Sequence, residues 1–251
     1  MTMGYLEKKF EDLAALFKQQ QRDIERQRHE IERLQAVNEI QNLMSRFEYL
    51  STSGQNLKIW EMFAQKTPGV AAHFESWGHW EGTKGIQRIY GPGGLYDPDR
   101  ENADQHGKLI VHTLTTPVIE VSGDCNTAKG VWTAPGFITL RERELGHDGK
   151  KNPKAGQFIG RWSWYKYGID FVKEDGKWKF WHFRVSPLIA CGIEKSWVDE
   201  PRIDPRKDYY PPEVSPDTVN NEWYGWTPEM IPENKPLPPE PFEVFDDRTA
   251  Y

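Results

Sequence analysis

The stretch Val111–Trp132, VHTLTTPVIEVSGDCNTAKGVW, decides how the chain folds. Val111, Leu114, Val118, Ile119 and Val121 are strand formers, Ser122-Gly123-Asp124 signals a turn, and Ala128 to Trp132 resumes an extended apolar pattern. The spacing predicts two long antiparallel strands, Leu109–Val121 and Thr127–Arg141, joined by a hairpin turn. His112 stands at the mouth of the first strand, before a Thr-rich run and Pro117. Proline interrupts regular strand pairing, so the histidine is expected where one side chain can face a cavity. The alternative is a histidine satisfied within the structure.

Working outward, Gly160–Lys173 and Lys177–Val185 read as a third and fourth strand around the turn Glu174-Asp175-Gly176. Upstream, His73–Trp80 reads as a strand and Gly82–Tyr90 as a short helix. Residues 91–108 are glycine-, proline- and acid-rich, and long loops of this kind often serve as lids or binding loops. Val37, Ile40, Leu43, Met44, Phe47 and Leu50 form the apolar face of a helix that covers a sheet and ends at Ser53-Gly54. Leu57 to Phe63 suggests a second helix before Pro68.

Further toward the N-terminus, Phe10, Phe17, Ile24 and Ile31 recur every seven residues. Leu6, Leu13 and Leu34 hold the complementary positions together with Gln20 and Gln27. This is coiled-coil spacing, and an exposed apolar stripe needs a partner, so a homodimer or homotrimer is expected. Residues 195–251 hold 11 of the 18 prolines and many aromatics, among them Tyr209, Tyr210, Trp223, Tyr224 and Phe245. That composition predicts an extended, ordered tail laid over its own domain or a neighbouring subunit. The expected organisation is an N-terminal helix (1–35), an α+β domain with a curved antiparallel sheet and helices on one face (36–194), and the tail (195–251).

Composition narrows the function classes. The chain has 251 residues, a mean hydropathy of −0.77 and a net charge of −6, which argues against a nucleic-acid backbone binder. Cys125 and Cys191 supply neither a CxxC pair nor a disulfide framework. No run approaches the roughly 20 apolar residues that span a bilayer, so no membrane role and a cytoplasmic location are expected. There is no GxGxxG, GxxxxGK[ST] or GxSxG signature. His73, Glu75 and His79 have the composition of a two-histidine, one-carboxylate site, but no distinctive ligand motif accompanies them. The expectation is acid–base chemistry with neither cofactor nor metal.

His112 is the first candidate acid or base, because imidazole exchanges protons near neutrality. Arg46 and Tyr49, three residues apart near the end of the first helix, are candidates to stabilise an oxyanion and to donate a proton. Tyr167 is a candidate hydrogen-bond donor. Strict alternation in the fourth strand places Phe180, His182 and Arg184 on one face. With Trp77 and Trp132, these residues are the candidate walls and orienting groups for a flat aromatic substrate. The alternative assigns the aromatics to a core and an oligomer interface.

The segments AVNEIQNLMSRFEYLS, FESWGHWEGTKGIQRIYG, HTLTTPVIEVSGDCNTAKGVW and FVKEDGKWKFWHFRV, in that order, resemble the SnoaL-like branch of the nuclear transport factor 2-like superfamily over about residues 36–192. The resemblance implies a cone in which a curled sheet wraps a cavity closed by the first helices, and it places His112 where the family often carries a cavity histidine. The chain departs at Ser51, Thr52 and Ser53, where dehydratase-like members carry an aspartate, and at Ile169, where relatives often have an acid. The long N-terminal helix, tryptophan content and aromatic tail are similar to the cofactor-independent formaldehyde-releasing lyases of lignin-derived diaryl compounds. That likeness implies a lyase that converts a phenolic substrate to a stilbene. The alternatives are a dehydratase or isomerase of another aromatic substrate, or a non-catalytic assembly subunit.

Overall fold

The computed structural model describes residues 3–75, 77–97, 106–141, 153, 155–199, 211–220, 225–233 and 235–251. Its first element is one continuous helix, α1 (Met3–Thr52). Ala36, Ile40, Met44, Phe47 and Glu48 are its buried positions, spaced three and four apart as a core-facing stripe requires. The chain leaves α1 through Gly54 in the left-handed region at φ 69°, a conformation that costs glycine nothing. The second helix, α2, is confined to Asn56–Trp60, shorter than the pattern of apolar residues predicts.

His73–Trp80 is two short strands, β1 (Ala71–Phe74) and β2 (Gly78–Glu81), paired antiparallel. Helix α3 (Gly82–Tyr90) follows as predicted. The long hairpin also differs from the simple reading, because each arm is broken in two. The first arm is β3 (Leu109–His112) and β4 (Thr115–Val121), and the second is β5 (Thr127–Ala134) and β6 (Gly136–Arg141). Pro135 causes the second break. It has no N–H to give the ladder, and its carbonyl accepts from Thr113 N (2.9 Å) across the first break. The two longest strands, β7 (Phe158–Glu174) and β8 (Lys177–Gly192), form the spine.

The sheet order is β2-β1-β8-β7-β5-β4, with β6 on the other half of the same β7 edge and β3 beyond it. Among the described strands only β1 runs parallel to a neighbour, β8. The result is a curved, unclosed α+β sheet of eight strands, with α1 packed against β3, β4 and β8. Between helices and sheet lies a core in which Phe47 meets Phe183 (ring centres 4.9 Å apart) and Phe180 (5.8 Å), and Phe63 stacks on Tyr90 (5.6 Å).

Two bulges re-aim β8. Trp164 pairs with Ile189 and Tyr165 with Pro187, and Asp170 pairs with His182 and Phe171 with Phe180, so the extra residues are Leu188 and Trp181. Strict alternation therefore fails in β8. Phe180 joins Phe183 in the core, while His182 and Arg184 face outward with Asp170 and Gly168.

The described tail returns over that outer face. Gly168 is required at the crossing, because a Cβ there would stand 2.7 Å from Pro236 and 2.9 Å from Tyr251. Phe245 lies against Trp181 (4.7 Å), and the Tyr251 main-chain N–H donates to Asp170 Oδ2 (2.9 Å). Tyr209, Tyr210, Trp223 and Tyr224 lie outside the described residues, as do residues 98–105 of the predicted loop. Among the described residues no helix is long and apolar enough to cross a membrane.

Candidate active site

The inner face of β7 carries Ser163, Tyr165, Tyr167, Ile169 and Phe171 in alternation, and two titratable groups attach to it from opposite ends. The first is His112, the last residue of β3. Its Nε2 lies 3.2 Å from Ser163 Oγ, and its ring centre is 5.0 Å from that of Tyr165. Gly136 sits opposite it in the ladder. A Cβ at that position would come within 2.4 Å of His112 Cδ2 and 2.3 Å of the Val111 carbonyl, so only glycine admits the imidazole there. Burial disfavours the imidazolium and pushes the His112 pKa down to about 4, so the ring is neutral at physiological pH.

The second group is Glu48, on the buried stripe of α1, and sequence reading missed it. Burial raises its pKa to about 7, partly offset by a hydrogen bond from the Tyr167 hydroxyl. Its Oε1 is buried and has no hydrogen-bond partner among the described residues. Burial and the neighbouring Glu48 raise the phenol pKa values of both Tyr90 and Tyr167, so both keep their protons. A signal for Glu48 is present in the sequence. It falls four residues after Met44 on the apolar stripe, one turn before the Ser51-Thr52-Ser53 segment where an acid is expected.

The remaining candidates divide by where the fold puts them. Tyr167 is 4% exposed and bonded to Glu48, at the centre of the site. Tyr49 is 79% exposed and Arg46 is also on the open face of α1, because the neighbouring positions Phe47 and Glu48 take the inward face. His182 Nδ1 lies 2.8 Å from Asp170 Oδ2, and Arg184 pairs with Glu75 Oε1 (2.7 Å), both on the outer face of the sheet. The structure therefore corrects their expected placement in a cavity, and the physical cause is the bulge at Trp181. Phe180 and Trp132 are core residues, Trp132 meeting Phe171 edge-on at 6.1 Å. Trp77 is half-buried and stacked on Phe74 (5.7 Å). Most of the aromatics expected as walls thus form the core.

His73 is bonded to Asn220 Nδ2 (2.6 Å) and Glu75 to Arg184, and the rings of His73 and His79 meet edge-on at 5.3 Å. Among the described residues no three His, Cys, Asp or Glu side chains converge in a metal-binding arrangement.

A family model described as a SnoaL-like domain matches residues 32–184. No curated protein matches the sequence. Among solved structures, the chain is similar to the hexachlorocyclohexane dehydrochlorinase LinA type 3 from Novosphingobium barchaimii LL02, with 14% identity over 66% of this chain and 96% of that one and a TM-score of 0.47. A candidate scytalone dehydratase from Novosphingobium aromaticivorans DSM 12444 shares 13% identity over 65% and 91%, TM-score 0.44. A candidate dehydratase of the NTF2-like family from Streptomyces avermitilis shares 16% identity over 61% and 97%, TM-score 0.44.

Proposed function

Because the chain belongs to the SnoaL-like family, matched over residues 32–184, we propose that it is a cofactor-independent acid–base lyase acting on a phenolic aromatic small molecule. One observation carries this reading: two buried groups anchored on the same strand face have pKa values displaced in opposite directions, Glu48 up to about 7 and His112 down to about 4. Their usual order is inverted. Between those values the carboxyl holds its proton and the imidazole holds none, so the site presents an acid and a base at once.

The finer form of the proposal is a formaldehyde-releasing cleavage of a lignin-derived diaryl compound. Glu48 protonates the departing benzylic hydroxyl, which leaves as water with the electrons of its C–O bond. The para phenol gives its proton to solvent, and its oxygen supplies electrons to give a quinone methide. His112 then takes the hydroxyl proton of the adjacent hydroxymethyl group. The C–C bond breaks, formaldehyde leaves, and the bonding electrons restore the phenol ring and form the stilbene. The phenol regains a proton, and His112 and Glu48 return to their starting states through solvent. Tyr167, which keeps its proton, holds the Glu48 carboxylate after proton transfer.

The test is incubation of the metal-stripped protein with phenolic diarylpropane-diols and phenylcoumarans, following formaldehyde and stilbene absorbance together. Equimolar appearance of both products is expected, and His112→Ala should lower turnover more than tenfold while leaving the fold intact. Full activity in that variant would remove His112 from the mechanism. Silence across the panel, with metal restored as a control, would sink the lyase reading.

A further inference from the structure

Helix α1 has two faces that do not coincide. On one, His29 Nε2 meets the Gly123 carbonyl (2.6 Å), Arg33 Nη2 donates to the Val121 carbonyl (3.1 Å), Glu32 pairs with Lys173 (3.3 Å), and Ala36 is buried. These contacts fix the C-terminal part of the helix to its own domain. The seven-residue seam points elsewhere: Phe10 is 72%, Leu13 60%, Phe17 60% and Leu34 69% exposed, and Leu6, Ile24 and Ile31 are also exposed. N-terminal to residue 29 the helix is exposed along its length apart from a partly covered Asp23, a projection of about 40 Å at 1.5 Å per residue.

We propose that this seam pairs with the same seam of a second copy as an antiparallel two-stranded coiled coil over residues 3–34. Area supports a stable pair. At roughly 100 Å² for each of the nine exposed seam side chains, one copy offers about 900 Å², against the roughly 800 Å² that each partner gives to a standard interface.

The order of residues selects the direction. Phe10, Phe17, Ile24 and Ile31 occupy the a positions, and Leu6, Leu13, Gln20, Gln27 and Leu34 the d positions. Antiparallel overlap sets Ile31 of one copy against Leu6 of the other, Ile24 against Leu13, Phe17 against Gln20 and Phe10 against Gln27, so every layer keeps an apolar member. In that register the flanking positions bring Glu7 to Arg28 and Lys9 to Glu30, each pairing occurring twice by symmetry. All four side chains are exposed. A parallel, in-register pair instead stacks Gln20 on Gln20 and Gln27 on Gln27, and joins only Asp23 to Arg28.

The surroundings of the seam agree. A groove of about 350 Å³ beside Ile31 is lined by Arg28, Glu32, Gln35, Lys173 near the end of β7 and Gly176 of the β7–β8 turn. The antiparallel register delivers Leu6 and Glu7 of the second copy to this place, with the carboxylate directed at Arg28.

Charge reversal tests the direction. Sedimentation equilibrium of the full chain at low salt should show a dimer. Glu7→Lys alone and Arg28→Glu alone should each weaken dimerisation roughly tenfold, because each replaces two attractions with two repulsions. The double variant E7K/R28E should return to within about threefold of the parent. Circular dichroism of each variant checks that the helix persists, and Phe10→Asp, at the centre of a layer, should give monomers. A chain that is monomeric at tens of micromolar, or a trimeric mass, would overturn the proposal. So would an E7K variant without effect combined with an R28E defect that E7K does not rescue, which is the outcome the parallel arrangement requires. Enzymatic turnover enters none of these readouts.

Discussion

Glu48→Gln should change the pH dependence of folding in a way that no contact in the folded state conveys by itself. The buried Glu48 carboxyl titrates at about 7 against an ordinary 4.5. A raised carboxyl pKa means that its stabilising contribution is fully present below pH 4.5 and is lost as pH rises through 7, because the unfolded chain ionises freely over that range while the folded one resists. At about 1.4 kcal/mol for each tenfold displacement of the proton equilibrium, the loss amounts to about 3 kcal/mol. Glutamine has no proton to lose and can still accept from Tyr167. Urea unfolding followed by tryptophan fluorescence, at half-unit steps from pH 4.5 to 8.5 and fixed protein concentration, should therefore give two curves that diverge. The parent should lose about 3 kcal/mol relative to the variant across the window, whatever constant offset the amide introduces. Curves that stay parallel to within about 1 kcal/mol would show that Glu48 titrates near its ordinary value, and the acid–base assignment would fall with it.

If Glu48 is the acid and His112 the base, kcat/KM of the parent should follow a bell with limbs near pH 4 and 7, and a single limb outside that range would refute the pairing. Tyr167→Phe removes the hydrogen bond that holds the Glu48 pKa down, so the alkaline limb should move to higher pH while the acidic limb stays. Asp170→Ala leaves the Lys129 ammonium buried without its carboxylate (2.9 Å) and should cost about 3–5 kcal/mol in urea unfolding, where a cost under 1 kcal/mol would mean that the pair is not sequestered. Gly136→Ala places a methyl group 2.4 Å from His112 Cδ2, and it should cut turnover more than tenfold with a smaller change in KM if the imidazole is displaced from its working position.

Much of the fold was legible because hydrophobic periodicity is local. The stripe from Ala36 to Phe47, the α3 segment and β7 all have the spacing their structures require. The breaks were harder to see. Pro135 and the bulges at Trp181 and Leu188 depend on how one strand meets another, so alternation counted along β8 alone sent His182 and Arg184 to the wrong face. The site was half legible. His112 is recognisable by its residue type and its place beside an irregular strand. Glu48 is harder to see because the family resemblance directs attention to Ser51, Thr52 and Ser53 at the helix end, although its position four residues past Met44 puts it on the buried stripe. Arg46 and Tyr49 lie on the open face of α1 for a related reason, since two residues flanking an inward pair on a helix turn away from it.

Both bulges in the β7–β8 ladder fall on β8, leaving β7 unbroken from Phe158 to Glu174. The curvature of the sheet is thus absorbed by one strand while its neighbour is kept as a ruler. Ser163, which meets His112, and Tyr167, which holds Glu48, are four residues apart on that ruler, or about 13 Å between anchoring positions. An inserted residue between them would do more than lengthen the interval, because it would turn one anchor to the opposite side of the sheet. If Glu48 and His112 are the acid and the base, the span between them is set in whole two-residue steps, and the substrate length they serve can be retuned only through the side chains that reach inward from the two marks.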